Sequence, residues 1–207
     1  MGYTHHWYRQ KEIDKGVFSA IVKDFRKLLP VLEKEGVKLA GSMGEGEPEI
    51  TDDFVCFNGS RYCGHKKDEA VVIPWPTETA GGIAKNETEN VKAGHWFAGV
   101  LLEKRTCNGD CSYEDFVFER MYEPTGWERP KEGGLYFSCC KTAFRPYDLA
   151  VTAFLVIAKH YLEDNIRVVS DGREAHWFDG KMLCQQELGY GLEYVMAKGG
   201  LKKHSKE

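Results

Sequence analysis

The sequence predicts an α+β domain, with a mixed β-sheet, two long helices packed on one face and a βαβ crossover towards the C-terminal end. Three observations lead there. Residues 135–172 run as an apolar strand, a polar turn, a long apolar helix and a second strand ending at Ser170-Asp171-Gly172. Near the start, Val17, Phe18, Ile21, Phe25, Leu28 and Leu32 recur at helical spacing. Between these helices lie short β-branched or aromatic runs bounded by Gly, Pro, Asn and Asp, the pattern of strands and turns.

Taken in order, residues 3–9 alternate and are rich in aromatics, which predicts a strand. Asp14 suits the N-cap of a first helix over residues 14–35, with Pro30 expected to kink it and Gly36 to stop it. The stretch GSMGEGEPE carries acids where a phosphate loop needs donors, so it reads as a mobile loop. Residues 54–57 form a strand closed by Asn58-Gly59, and residues 70–75 another. A long polar loop over 77–93 follows. Strands over 95–103 and 113–122 should then form a hairpin around Cys107-Asn108-Gly109-Asp110-Cys111. Pro146 and Asp148 suit the first turn of the second long helix, residues 146–163, which is apolar nearly all round and therefore buried on most sides. Residues 166–169 make the closing strand, residues 181–188 a short helix, and residues 192–197 a last element. One domain over 1–198 is expected, with 77–130 as an insertion or hairpin region and 199–207 as a flexible basic tail.

Composition narrows the function. The chain has 207 residues, 42% of them hydrophobic and 13% aromatic, with a formal net charge of −4. No basic field favours bulk nucleic-acid binding, and no apolar run reaches membrane-spanning length. The N-terminus lacks a signal-peptide core, so the expected setting is the cytoplasm, that of the host cell if the protein is viral. Seven cysteines in a reducing compartment are buried thiols or metal ligands.

The crossover locates a site, because its two strands end at one edge. Lys141, Thr142 and Arg145, beside the helix N-terminus, would face Ser170 and Asp171 and could hold a phosphate or carboxylate. The alternative is that Lys141 and Arg145 pair with Asp148 or Asp171 and only anchor the turn. For catalysis, His5 or His6 could act as general acid or base, with Asp171 as carboxylate partner; adjacent strand residues face opposite sides, so only one of the two histidines can serve one face. The alternative is an aromatic strand packed on the core. For metal, Cys63 and His65 in one turn and Cys107 and Cys111 in another offer two ligand pairs for zinc, with Cys139 and Cys140 as competing thiols. Cys140 could instead be a nucleophile activated by Lys141 and the helix start, against the commoner buried inert thiol.

The opening MGYTHHWYR, the strand FVCFNG, the block CKTAFRPYDLAVTAFLVIAKHYL and the strand VVSDG resemble a group of small, uncharacterised phage and bacterial proteins. These share an MGYTH-aromatic start, a KTxxxPYD block before a hydrophobic helix, and SDG after it. The resemblance covers both ends and the first strand, and residues 81–129 depart from it. It implies a viral or mobile-element origin and no mechanism. The expected function is binding of a small phosphate-bearing ligand, such as a nucleotide, with turnover left open. The alternative is a protein–protein interaction module, zinc-stabilised, that meets a host protein through Trp7, Trp75, Trp96 and Trp127.

Overall fold

The structure, a computed structural model, describes residues 3–67, 69–71, 96, 97, 100, 101, 104–126, 128–198 and 200–204. The strands are β1 (Thr4–Arg9), β2 (Leu39–Ala40), β3 (Glu49–Ile50), β4 (Phe54–Gly59), β5 (Trp96–Phe97), β6 (Val100–Leu101), β7 (Phe116–Glu119), β8 (Tyr136–Lys141), β9 (Ile166–Ser170), β10 (Tyr194–Ala197) and β11 (Gly200–Lys203). The helices are α1 (Lys15–Lys34), α2 (Asp148–Leu162) and α3 (Glu174–Leu188). The fold is α+β, as the sequence predicts.

The β8–α2–β9 crossover is present in split form. β1 lies between β8 and β9 and pairs antiparallel with both, so the two outer strands run parallel to each other without touching. Their ends still meet at one edge, because Cys140 and Ser170 both stand opposite His5. A second sheet centres on β4, which pairs with β2, β3 and β7.

The core explains why β1 alternates. His5, Trp7 and Arg9 face inward, while Thr4, His6 and Tyr8 face outward. Trp7 packs on Phe116 at 5.2 Å between ring centroids, and Phe116 and Phe118 meet Phe154 of α2 at 5.0 and 5.1 Å. α2 is apolar on nearly every side because α1, α3 and β9 all lie against it. Asp14 caps α1 through a bond from the Val17 amide, and Pro30 is accommodated inside a continuous helix.

Several expectations are corrected. α3 starts at Glu174 and runs 15 residues, where a short helix over 181–188 was predicted. The obscuring residue is Gly180, which reads as a breaker but is required by packing: a Cβ there would lie 2.5 Å from Thr152 Oγ1 of α2. Within the expected flexible tail, described residues 200–203 form a strand, since β11 pairs with β10 and buries Gly200 and Leu201. The GSMGEGEPE segment is not loose, because Asp115 accepts bonds from Ser42 Oγ (2.6 Å) and the Met43 amide (2.8 Å). β7 pairs with β4 rather than with residues 95–103, of which 96–97 and 100–101 pair with each other. The loop expected over 77–93 and most of the strand over 70–75 lie outside the described residues. Trp7 is fully buried and belongs to no surface patch; Trp75 and Trp127 are outside the described residues. Among the described residues no helix is long and apolar enough to cross a membrane.

Candidate functional site

Two polar constellations stand out, and Arg105 joins them. The first is the knuckle. Asn108 and Gly109 turn the chain tightly at φ 54° and 91°, which brings Cys107 and Cys111 back beside each other. The Cys111 amide donates to Ser60 O at 2.9 Å and docks the turn on the segment leading to Cys63 and His65. His65 Nδ1 then lies 3.3 Å from Cys107 Sγ and 3.2 Å from Cys111 Sγ, and Cys63 Sγ lies 3.5 Å from Cys107 Sγ. One donor atom from each of the four residues falls within 4.8 Å of every other. The predicted metal set Cys63, His65, Cys107 and Cys111 is thus brought together.

This spacing suits zinc. Tetrahedral bonds of about 2.3 Å to sulfur and 2.0–2.1 Å to nitrogen put ligand atoms about 3.6–3.8 Å apart. The cysteines are free thiols. Burial, and then hydrogen bonding with Cys107 and Cys63, push the Cys111 thiol far up, so a cation would be what makes thiolates of this cluster. The three cysteines form their own small buried cluster, apart from the main core.

The second constellation lies at the edge where β8 and β9 end. The backbone of Ala143 and Phe144 takes left-handed φ of 51° and 55°, strained for non-glycine residues, and this turn delivers Asp148 into the core at the first position of α2. Asp148 Oδ1 accepts from His5 Nε2 at 2.6 Å and from Thr142 Oγ1 at 2.6 Å. Its Oδ2 accepts from Arg105 Nε at 2.9 Å. Arg105 also bonds Asp179 and donates to His176 O at 2.8 Å. On the other side of the imidazole, His5 Nδ1 meets Ser170 Oγ at 3.0 Å. His5, Arg105, Thr142 and Asp148 are all buried.

The charges balance around Arg105. Burial alone would raise the Asp148 carboxyl, but Arg105 and His5 hold it down to about 2. Burial raises Asp179, with Arg105 opposing and Asp148 adding to the rise. Asp148 is therefore the anion that the start of α2 and the guanidinium share.

Against the expected sites, the outcome is mixed. His5 is the inward histidine, but its carboxylate partner is Asp148; Asp171 instead accepts from the Thr4 amide at 3.1 Å and ties down the end of β1. His6 faces outward and stacks on Phe137 at 5.8 Å. Thr142 and Ser170 meet through His5 and Asp148. Arg145 points away, donating to Asp110 O at 2.9 Å and to Ser112 O beside the knuckle. Lys141 sits over the Tyr113 ring at 5.5 Å, and its amide donates to Glu114 Oε2 at 2.7 Å. Arg145 thus anchors a turn, and the carboxylates named for that role, Asp148 and Asp171, are bonded elsewhere. Cys140 is fully buried, its thiol raised well above the usual range by burial, which fits an inert core thiol. Arg105, Asp148 as partner, and Asp179 are the members sequence reading missed. The signal available for Arg105 was its position two residues before Cys107.

Compared with known protein families, curated proteins and solved structures, the chain has no match.

Proposed function

We propose that this chain is a zinc-binding domain, its ion held by Cys63, His65, Cys107 and Cys111. The observation that carries the reading is the convergence of these four donor atoms to within 4.8 Å from two turns 42 to 48 residues apart in sequence. A set with four protein ligands leaves no open position, which is the arrangement of a structural rather than a catalytic ion. The ion would clamp residues 63–65 to residues 107–111 and so hold Arg105 against Asp148 and Asp179.

This favours the zinc-stabilised module over a phosphate-bearing ligand at the β8–β9 edge. Of the groups expected to grip a phosphate, Thr142 is spent on Asp148 and Arg145 on the knuckle, and the helix start already has a carboxylate. A viral or mobile-element origin rests on the resemblance alone.

Purified protein should contain about one zinc ion per chain by elemental analysis, and Cys107→Ser and Cys111→Ser should lose it. Cobalt exchanged into the chain should give thiolate-to-metal charge-transfer absorption. Stripping with a chelator should lower the melting temperature, since metal binding is coupled to folding. Protein free of bound metal that takes up neither zinc nor cobalt would remove the reading.

A further inference from the structure

A cavity of about 340 Å³ opens at the end of β9, between the first residues of α3 and the β10–β11 turn, and Ser170, Gly172, Arg173, Glu174 and Lys198 are among the residues that line it. Ser170 brings to that cavity the end of a hydrogen-bonded relay: Ser170 Oγ to His5 Nδ1 at 3.0 Å, and His5 Nε2 to Asp148 Oδ1 at 2.6 Å. His5 and Asp148 are fully buried, whereas Ser170 is partly exposed, so the relay runs from the core towards the residue that lines the cavity.

The directions of the protons follow from chemistry. Asp148 accepts at both oxygens, so in the neutral imidazole of His5 the one proton sits on Nε2, towards Asp148. Nδ1 is then a bare lone pair facing the serine, which is what a general base requires. Compared with the familiar serine–histidine–aspartate arrangement, the two ring nitrogens exchange roles while the logic of nucleophile, base and orienting carboxylate is kept. The nucleophile sits between further fixed groups. The Gly172 amide donates to Ser170 Oγ at 2.8 Å, and a Cβ at Gly172 would lie 2.3 Å from Tyr3 Oη, so glycine is required there.

We propose that Ser170 is an acyl-accepting nucleophile with His5 as its base, acting on a small carboxylic ester bound in this cavity, while Asp148 positions His5. In the first step Ser170 Oγ bonds to the carbonyl carbon and its proton passes to His5 Nδ1. The tetrahedral adduct then expels the alcohol, which takes that proton. Water attacks the acyl-serine, gives a proton to His5, and releases the acid as the proton returns to Ser170 Oγ. The cavity volume lies at the small end of ligand sites. Lys198 lines it, and the Glu174 carboxylate there is bonded to Lys181 and the Met196 amide, so an ester bearing negative charge is favoured. The relay is separate from the zinc ligands, and zinc content measured on the same samples keeps the two proposals apart.

The test is covalent labelling of the full, metal-replete chain with diisopropyl fluorophosphate, read by intact mass and peptide mapping, alongside hydrolysis of p-nitrophenyl acetate. One adduct on Ser170 is expected in the parent. In Ser170→Ala the adduct should be absent and hydrolysis should fall by about a hundredfold or more. Folded parent protein that stays unlabelled at Ser170, or hydrolysis unchanged in Ser170→Ala, would overturn the assignment; labelling of the parent decides the matter even if the variant folds poorly. The p-nitrophenyl monoester of succinate should be hydrolysed with higher kcat/KM than the acetate, and the reverse order would overturn the charge preference.

Discussion

The knuckle and the buried network are both polar clusters in an otherwise apolar protein, but they are stabilised in opposite ways. The knuckle gathers four neutral or neutralisable groups at the rim of the fold, where little apolar surface is buried with them. Its one imidazole cannot balance three thiolates, so it calls for a cation from outside. The network sits under Trp177 and against α2 and carries its own cation, Arg105, between two carboxylates. It is complete without a ligand. A cluster of chemistry-bearing residues signals a bound group when its charges are unbalanced, and a positioning framework when they balance.

The largest effect should come from breaking that balance. Arg105→Ala leaves Asp148 and Asp179 buried with no guanidinium between them, and removing one partner of such a pair typically costs about 3–5 kcal/mol. Chemical denaturation should show this loss, and Arg105→Ala/Asp148→Asn/Asp179→Asn should recover part of it. A loss below about 1 kcal/mol would mean that the network is solvated and that the contrast with the knuckle is false.

Acid should separate the two regions by pH. The folded Asp148 carboxyl is held at about 2 against an ordinary value of 3.8, so its contribution is fully present above the ordinary value and is lost as pH falls through about 2. The shift corresponds to roughly 2 kcal/mol. Asp179 is raised, so it acts in the opposite sense: its ionisation costs stability as pH rises through its folded value. Metal ligands, by contrast, release zinc as they are protonated in milder acid. Unfolding free energy measured against pH should therefore show metal loss first and the Asp148 limb between about pH 4 and 2, with Asp148→Asn removing only the second. A single coincident transition, unchanged in Asp148→Asn, would break the separation.

How much of this was legible in the sequence divides along the same line. The four knuckle residues are paired within short turns, and the Asn-Gly turn between Cys107 and Cys111 announces its own geometry, so the metal set could be named without coordinates. Strand alternation likewise put one histidine inward. The network was only half legible, because the bonds of Asp148 to Arg105 and His5, and of His5 to Ser170, join residues 43 to 165 positions apart and depend on β1 inserting between β8 and β9. Without that insertion Asp171, next to Ser170, looked like the natural partner for a histidine. The twist of the Ala143–Phe144 turn, which sends Asp148 inward and Arg145 outward, has no signature in residues that ordinarily avoid left-handed backbone. The same holds for α3, where a glycine forced by Thr152 hid the first turns of the helix.

Arg145 offers the finest test, because it touches the knuckle from the side of the network. It was a candidate anion ligand, but its guanidinium donates to Asp110 O and Ser112 O, lies 3.3 Å from the Asp110 carboxylate and covers the Tyr113 ring at 5.2 Å. Arg145→Ala removes those bonds while Asp148, Thr142 and His5 keep theirs. Its side chain is about a quarter exposed, which sets the expected cost near the lower end for bonds to a charged group, about 1.5 kcal/mol. The loss should appear at the knuckle alone: zinc should leave faster to a chelator, while labelling at Ser170 should proceed as in the parent. If Arg145 were instead a ligand-binding group, melting would hardly change and the parent alone would be stabilised by added phosphate or nucleotide. Thermal melts of both proteins with and without those anions, run beside a zinc-release assay, distinguish the two roles.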